Sequence, residues 1–447
     1  MLKKCCYQMG LNKNFHIKDI GRGIIVLIMH TSSFDVFMNL RIGGYSFRFV
    51  FLLILILALL LFYELWSNQR PFQLKLLGHN YLLGWMLFLF LFIPNTTLLG
   101  RNIGYMVWLT ILVIFISVVP HYIKTESHIQ WTLKWYLRSF LFVGLFGLTQ
   151  FIAGLFGISL LTQQTWHDNL ARINGFSYEP SYFAMYMLLG WGTALSLLST
   201  PYRSWYTFWF ITAIVVLSSS RMGILVMLIA SATTVFSKPL KDLRRGRLSF
   251  QNLRLVVIFI SGVVTAVIFF ITHLEQFQFM LVGIAYVSNI DHSSSQRIDG
   301  FIDTLTVFWN NPLIGVSLGG LPSAIGALRG FYIQTQDEAK EFEGMNVYAE
   351  VLASSGLLGF ILFFFFGFCL LRGVYKLIKY GDFKRMFLLK ALLAGLIVEL
   401  FILNFNQTIL RPYLWVHIGL LNAAYFVLKD NVTKNKIVDG LHPYKKF

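Results

Sequence analysis

Charge is scarce in this sequence. Only 13% of its 447 residues are Asp, Glu, Lys or Arg, where an ordinary soluble domain carries about 25%. Acidic residues are the scarcer sign, 20 against 37 Lys and Arg. Cysteine is nearly absent: Cys5 and Cys6 are neighbours and Cys369 lies in an apolar run, which excludes a disulfide framework. The first 21 residues lack the basic, apolar and small-residue succession of a cleaved signal peptide. In place of charge the chain has apolar side chains, 56% hydrophobic and 17% aromatic. One soluble core stops growing near roughly 250–300 residues, so this much apolar surface excludes a soluble enzyme. It also excludes a disordered or fibrous chain. The class that remains is an all-α polytopic membrane protein.

A net charge of +17 invites a nucleic-acid reading. The distribution opposes it, because the basic residues sit in short segments between apolar runs, as orientation signals do. A membrane-crossing helix needs about 20 mostly apolar residues. Twelve such spans are expected, at 22–39, 48–66, 77–94, 101–121, 134–158, 180–199, 203–219, 221–237, 254–273, 347–371, 386–405 and 411–429. The Lys/Arg bias then puts both termini on the cytoplasmic side. The domain reading is 1–273 for spans one to nine, 274–346 for a large loop on the outer side, 347–429 for the last three spans and 430–447 for a cytoplasmic tail. No inverted or parallel repeat of the transporter kind is present.

The loop at 274–346 is acid-rich and too long to be a mere connection. Ile298, Phe301, Ile302, Leu305, Phe308 and Trp309 recur at helical spacing, with Asp299 and Asp303 on another face. This predicts an amphipathic helix, on the membrane surface or packed over the bundle. Asn310-Asn311-Pro312 ends it, and a Gly-rich stretch follows.

No metal-ligand set stands out, and histidines such as His121, His128, His167, His273 and His292 are scattered; neither a metal nor a cofactor is expected. Arginines on the outer side are more informative. Arg172, Arg221, Arg297 and Arg411 are candidates for binding a diphosphate, since arginine holds phosphate bidentately and keeps its charge. Arg41, Arg48 and Arg101 read instead as residues that reach lipid headgroups or cap helices. Carboxylates near that face, Glu179, Glu350, Glu343 and Asp299, are candidates for proton transfer. Tyr178, Tyr182, Asn346 and Tyr348 lie near the same face, where an interfacial aromatic belt is expected. Glu399, inside a span, should face the interior, either hydrogen-bonded to a neighbouring helix or in use. Glu64 reads as a solvated helix end.

Several segments together resemble the bacterial O-antigen polymerase and ligase superfamily. They are Arg172-Ile-Asn-Gly-Phe-Ser-Tyr-Glu179-Pro180-Ser181-Tyr-Phe-Ala184, Ser219-Ser220-Arg221-Met-Gly223, and Ser295-Gln-Arg297 followed by Phe308-Trp-Asn-Asn-Pro312-Leu-Ile-Gly315. To these add Asn346-Val-Tyr348-Ala-Glu350 and Ser355-Gly356-Leu-Leu-Gly359. The resemblance implies about twelve spans and one large periplasmic loop, as in C-type glycosyltransferases. It implies metal-independent transfer of a glycan from undecaprenyl diphosphate at the periplasmic face. For Tyr178, Tyr182, Asn346 and Tyr348 it implies contact with a sugar. The expected partners are that lipid-linked oligosaccharide, membrane lipids and a chain-length regulator, with no nucleic acid. Ligases of the superfamily carry a histidine just before the span that follows the large loop. Here that place reads Gly344-Met345-Asn346-Val347-Tyr348, which favours a polymerase. A ligase acting on lipid A–core and a non-enzymatic transporter or flippase are the alternatives.

Overall fold

Long apolar runs with almost no strand-forming alternation leave the backbone one economical solution in lipid, the helix, which satisfies its own N–H and C=O groups. A computed structural model describes residues 2–42, 45–94, 96, 98–164, 172–244, 246, 250–272, 292–381 and 386–438, and it is an all-α membrane protein. The helices are α1 (Leu2–Thr31), α2 (Phe49–Ser67), α3 (His79–Leu91), α4 (Leu99–Tyr122), α5 (Glu126–Leu155), α6 (Pro180–Leu197), α7 (Trp205–Leu217), α8 (Arg221–Arg244) and α9 (Phe250–Thr272). There follow α10 (His292–Asn310), α11 (Leu321–Leu328), α12 (Val347–Tyr380), α13 (Phe387–Ile402) and α14 (Pro412–Val438). Among the described residues, six segments, Phe49–Ser67, Leu99–Tyr122, Glu126–Leu155, Arg221–Arg244, Val347–Tyr380 and Phe387–Phe405, are long and apolar enough to cross a membrane. His79–Leu91 and Trp205–Leu217 are apolar but shorter.

Two expectations need correction. The first span, read over 22–39, ends at Thr31, and a two-stranded antiparallel hairpin of β1 (Asn39–Ile42) and β2 (Tyr45–Arg48) follows, pairing Asn39 with Arg48. The chain turns at Ser32–Asp35 because Asp35 and Val36 give their N–H groups to the Phe176 carbonyl, each at 3.0 Å, instead of continuing the helix. Glu64 is not a solvated end: it is buried and pairs with Lys18 at 3.4 Å.

The centre of the bundle is the crossing of α6 and α13. Gly192 and Gly395 meet there, and a Cβ on Gly192 would lie 3.0 Å from the Gly395 Cα. Small residues let two backbones approach where lipid gives helices no hydrophobic reason to associate. Nearby, the His417 ring bonds the Tyr136 hydroxyl at 2.8 Å and the Leu392 carbonyl at 2.6 Å, tying α5, α13 and α14 together.

Helix α10 packs over the bundle with only part of the stripe the spacing picked out. Phe308 is buried, with Gly300, Thr304 and Val307 beside it, and Leu305 is half-buried, whereas Ile298, Phe301, Ile302 and Trp309 are exposed. Gly300 lies against Met345, so a small-residue face allows the close approach.

The stretch after α10 docks into a kink of α12. Leu357 donates its N–H to the Pro312 carbonyl at 2.8 Å, and Val316 donates to the Ala353 carbonyl at 3.0 Å. The kink is Gly356, at φ 59° and ψ −174°, a conformation essentially reserved for glycine. An added Cβ there would also run into the Leu313 backbone. Gly356→Ala should therefore destabilise the protein by about 1–3 kcal/mol from the backbone alone, with the steric clash in addition. Thermal unfolding of the purified variant measures it, and an unchanged midpoint would contradict the docking.

Candidate functional site

One end of the bundle gathers most of the polar residues singled out above. The segment 172–179 is a buried loop held from within. The Gln150 side-chain carbonyl accepts from the N–H groups of Asn174 (3.3 Å) and Gly175 (2.8 Å), and the Asn174 amide donates to the Ser177 carbonyl (2.6 Å). Gly175 takes φ 55° where a Cβ would strike the Phe183 ring, and Phe176 stacks on Phe146 at 4.0 Å. This internal bonding presents Arg172 at one end and Glu179 at the other. Glu179 caps α6 just before Pro180, at the helix end whose exposed N–H groups favour a negative charge. Its Oε2 accepts from the Ser181 hydroxyl at 2.9 Å.

Arg172, Glu179, Tyr182 and Arg297 line one polar cavity of about 290 Å³, with Gln164, Met345, Asn406 and Gln407. Arg172 reaches the Gln164 side chain at 2.8 Å and the Ser219 carbonyl at 3.5 Å, which brings the turn before Arg221 alongside. Arg297 donates from α10 to the Phe405 carbonyl beyond α13. Gln407 donates to the Tyr182 hydroxyl. Two arginines against one glutamate leave the walls with one net positive charge, suited to a phosphate-bearing ligand. Arg221 begins α8 and is not on these walls.

Behind the cavity lies an arrangement that reading the sequence missed. Asp35 is 1% exposed and bridges two buried arginines, Arg411 at 2.6 Å and Arg48 at 3.0 Å. The Arg411 guanidinium in turn lies 3.5 Å over the Tyr182 ring, so Asp35 acts through Arg411 on a cavity wall. Arg48 is thus a correction: it is an internal ion-pair partner, not a lipid anchor.

Arg101 corrects the same expectation. It is 4% exposed and bonds Glu343 at 2.5 Å, Tyr105 at 2.5 Å and Gln336 at 3.1 Å. Arg101, Tyr105, Glu343 and Glu350 line a second, narrow space of about 30 Å³, room for about one water. There Glu350 accepts from the Thr408 N–H at 2.7 Å. Thus Glu343 and Glu350 come together, but with each other and not with Glu179. Asp299 is exposed and lines neither space.

Of the residues proposed for sugar contact, Tyr182 lines the polar cavity. Tyr178 accepts from the Asn39 amide at 3.4 Å. Asn346 is the N-cap of α12, accepting from the Ala349 N–H at 3.0 Å, and it donates to the Asn404 carbonyl at 2.9 Å. An Asn just ahead of an apolar helix is itself a capping signal. Tyr348 gives its hydroxyl to the Leu400 carbonyl at 2.6 Å. Glu399 is fully buried, and among the described residues neither of its oxygens has a hydrogen-bond partner, so the helix-to-helix bond is not made. His167 and Asp291 lie outside the described residues, as do the loop residues 273–291.

Below the polar end, α12, α13 and α14 leave an apolar groove of about 280 Å³, walled by Tyr348, Phe363, Phe366, Leu400, Ile409 and Trp415 among others. Ile409 also lines the narrow space beside Glu350, so groove and polar end are contiguous.

A family model described as O-antigen ligase matches residues 206–364. The stretch holds Arg221, Arg297, Met345 and the Gly356 kink, while Arg172, Glu179 and Asp35 lie before it. No curated protein matches the chain.

Proposed function

We propose that this chain, whose residues 206–364 match the O-antigen ligase family model, is a polysaccharide polymerase of the O-antigen polymerase/ligase superfamily. It moves a growing glycan from undecaprenyl diphosphate onto the next lipid-linked repeat unit, at the periplasmic face of the inner membrane. The observation that carries this reading is the polar cavity, where Arg172 and Arg297 face Glu179.

The chemistry fits those side chains. An acceptor hydroxyl oxygen forms a bond to the donor's anomeric carbon. The bond from that carbon to the diphosphate oxygen breaks, and the bonding pair leaves with the diphosphate. Arg172 and Arg297 stabilise the charge that develops there, and fixed cations need no reorganisation as the bond breaks. Glu179 takes the hydroxyl proton. The apolar groove between α12, α13 and α14 receives the polyprenyl tail and leads its diphosphate to the polar end.

Met345 lines the same cavity, and it belongs to the stretch Gly344–Tyr348 just before α12, where the superfamily's ligases are expected to carry a histidine and this chain has none. This favours the polymerase over the ligase.

Loss of the gene tests the reading in a host that makes the glycan. Without a polymerase, single repeat units still reach lipid A–core. Without a ligase, long chains accumulate on the lipid carrier. In the deletion strain, Arg297→Ala should leave only single repeats and Arg297→Lys should restore a partial ladder, at membrane levels equal to the parent protein. A full ladder from both variants would remove Arg297 from the site.

A further inference from the structure

A cavity of about 640 Å³ lies at the opposite end of the bundle from the candidate site, between α5, the end of α6, and the starts of α7 and α13. Its wall is amphipathic. Gln130, Lys134, Arg138 and Ser204 form the polar part, and Leu137 and Leu141 belong to the apolar part. Among the described residues, none of those lining it is acidic.

Lys134 and Arg138 are four residues apart on α5, so they share a face one turn apart. The Arg138 guanidinium lies 4.6 Å over the Trp135 ring, which sets its position. Helix α5 has 30 residues, about 45 Å at 1.5 Å per residue, and so exceeds the hydrocarbon thickness of about 30 Å. Counting about 20 residues back from Leu155 puts the hydrocarbon boundary near residue 136, between the two cations. The exposed aromatics Trp131, Tyr202, Trp205 and Tyr206 cluster at this end, as rings do at the headgroup level. Two cations at that depth, over a leucine floor and without a carboxylate in the lining, call for an external counter-charge.

We propose that this cavity binds an anionic phospholipid. Its phosphate meets Lys134 and Arg138, and the first carbons of its acyl chain lie along Leu137 and Leu141. A zwitterionic headgroup fits less well, because its ammonium would find no carboxylate in the wall. The site is separate from the polar cavity and stands whether or not the chain is a polymerase.

Native mass spectrometry of the purified full-length protein, stripped of lipid in detergent, tests this. Phosphatidylglycerol and phosphatidylcholine are titrated separately, and inorganic phosphate is added as a competitor. The parent protein should bind one phosphatidylglycerol at least ten-fold more tightly than phosphatidylcholine. Lys134→Gln with Arg138→Gln should abolish that preference. Lys134→Arg with Arg138→Lys should keep it, which separates lost charge from lost folding. Lys376→Gln with Lys429→Gln, at another cationic cavity, should leave this adduct in place. Equal binding of the two lipids, an unchanged preference in the neutral double variant, or displacement by millimolar phosphate would overturn the proposal.

Discussion

Glu179→Gln should leave the protein folded and nearly inactive. The amide keeps the shape and can still accept the Ser181 hydroxyl that now meets Oε2 at 2.9 Å, but it cannot take a proton. A positioned base contributes about 10²–10⁴-fold, and the loss should appear in kcat, because the proton moves only in the transition state. Glu179→Asp should recover part of the rate, since it keeps the charge and retracts it by one methylene. A glutamine variant with the parent's turnover would move the base elsewhere. Glu350, beside Glu343 in the narrow space with Arg101, would then be the next carboxylate to examine.

Asp35→Asn should be the most destabilising single change near the site. Its carboxylate is the shared counter-charge of Arg48 and Arg411, and all three are buried. Removing one partner of a buried ion pair costs about 3–5 kcal/mol, because the remaining charge is left uncompensated. Here two guanidiniums are left. Thermal unfolding in detergent should show that loss, and activity should fall as Arg411 loses the orientation that sets it over Tyr182. Adding Arg48→Met should recover part of the stability, since one orphaned cation disappears, so the two changes should not add. An Asp35→Asn protein within about 0.5 kcal/mol of the parent, as for an ordinary surface change, would show that the triad is not a structural unit.

Local patterning made much of this legible from sequence. Apolar runs located the helices, and the turn at Ser218–Ser220 falls between α7 and α8 as expected. Arg172, Glu179, Tyr182 and Arg297 were singled out together and share one cavity. The Gly356 and Pro312–Gly315 segments, marked only by resemblance, have a physical reason in the docking of one backbone against a kink in the other. The triad was not legible. Asp35 and Arg411 are 376 positions apart, and an aspartate at the edge of an apolar run looks like a flaw in a span until its partner is known. The part of Gly300 and Thr304 in the packing of α10 was not legible, because apolar spacing marks where side chains are large and these two residues let the helix approach by being small.

In the proposed function, the cavity of Arg172, Arg297 and Glu179 joins one lipid-linked repeat to another. Turnover by the purified protein in liposomes, given undecaprenyl-diphosphate-linked repeat units as the sole glycan substrate, tests this. The parent protein should give a ladder of lipid-linked chains and Glu179→Gln none. If repeats stay single, and transfer begins only when lipid A–core is supplied, the protein is a ligase and the polymerase reading is wrong.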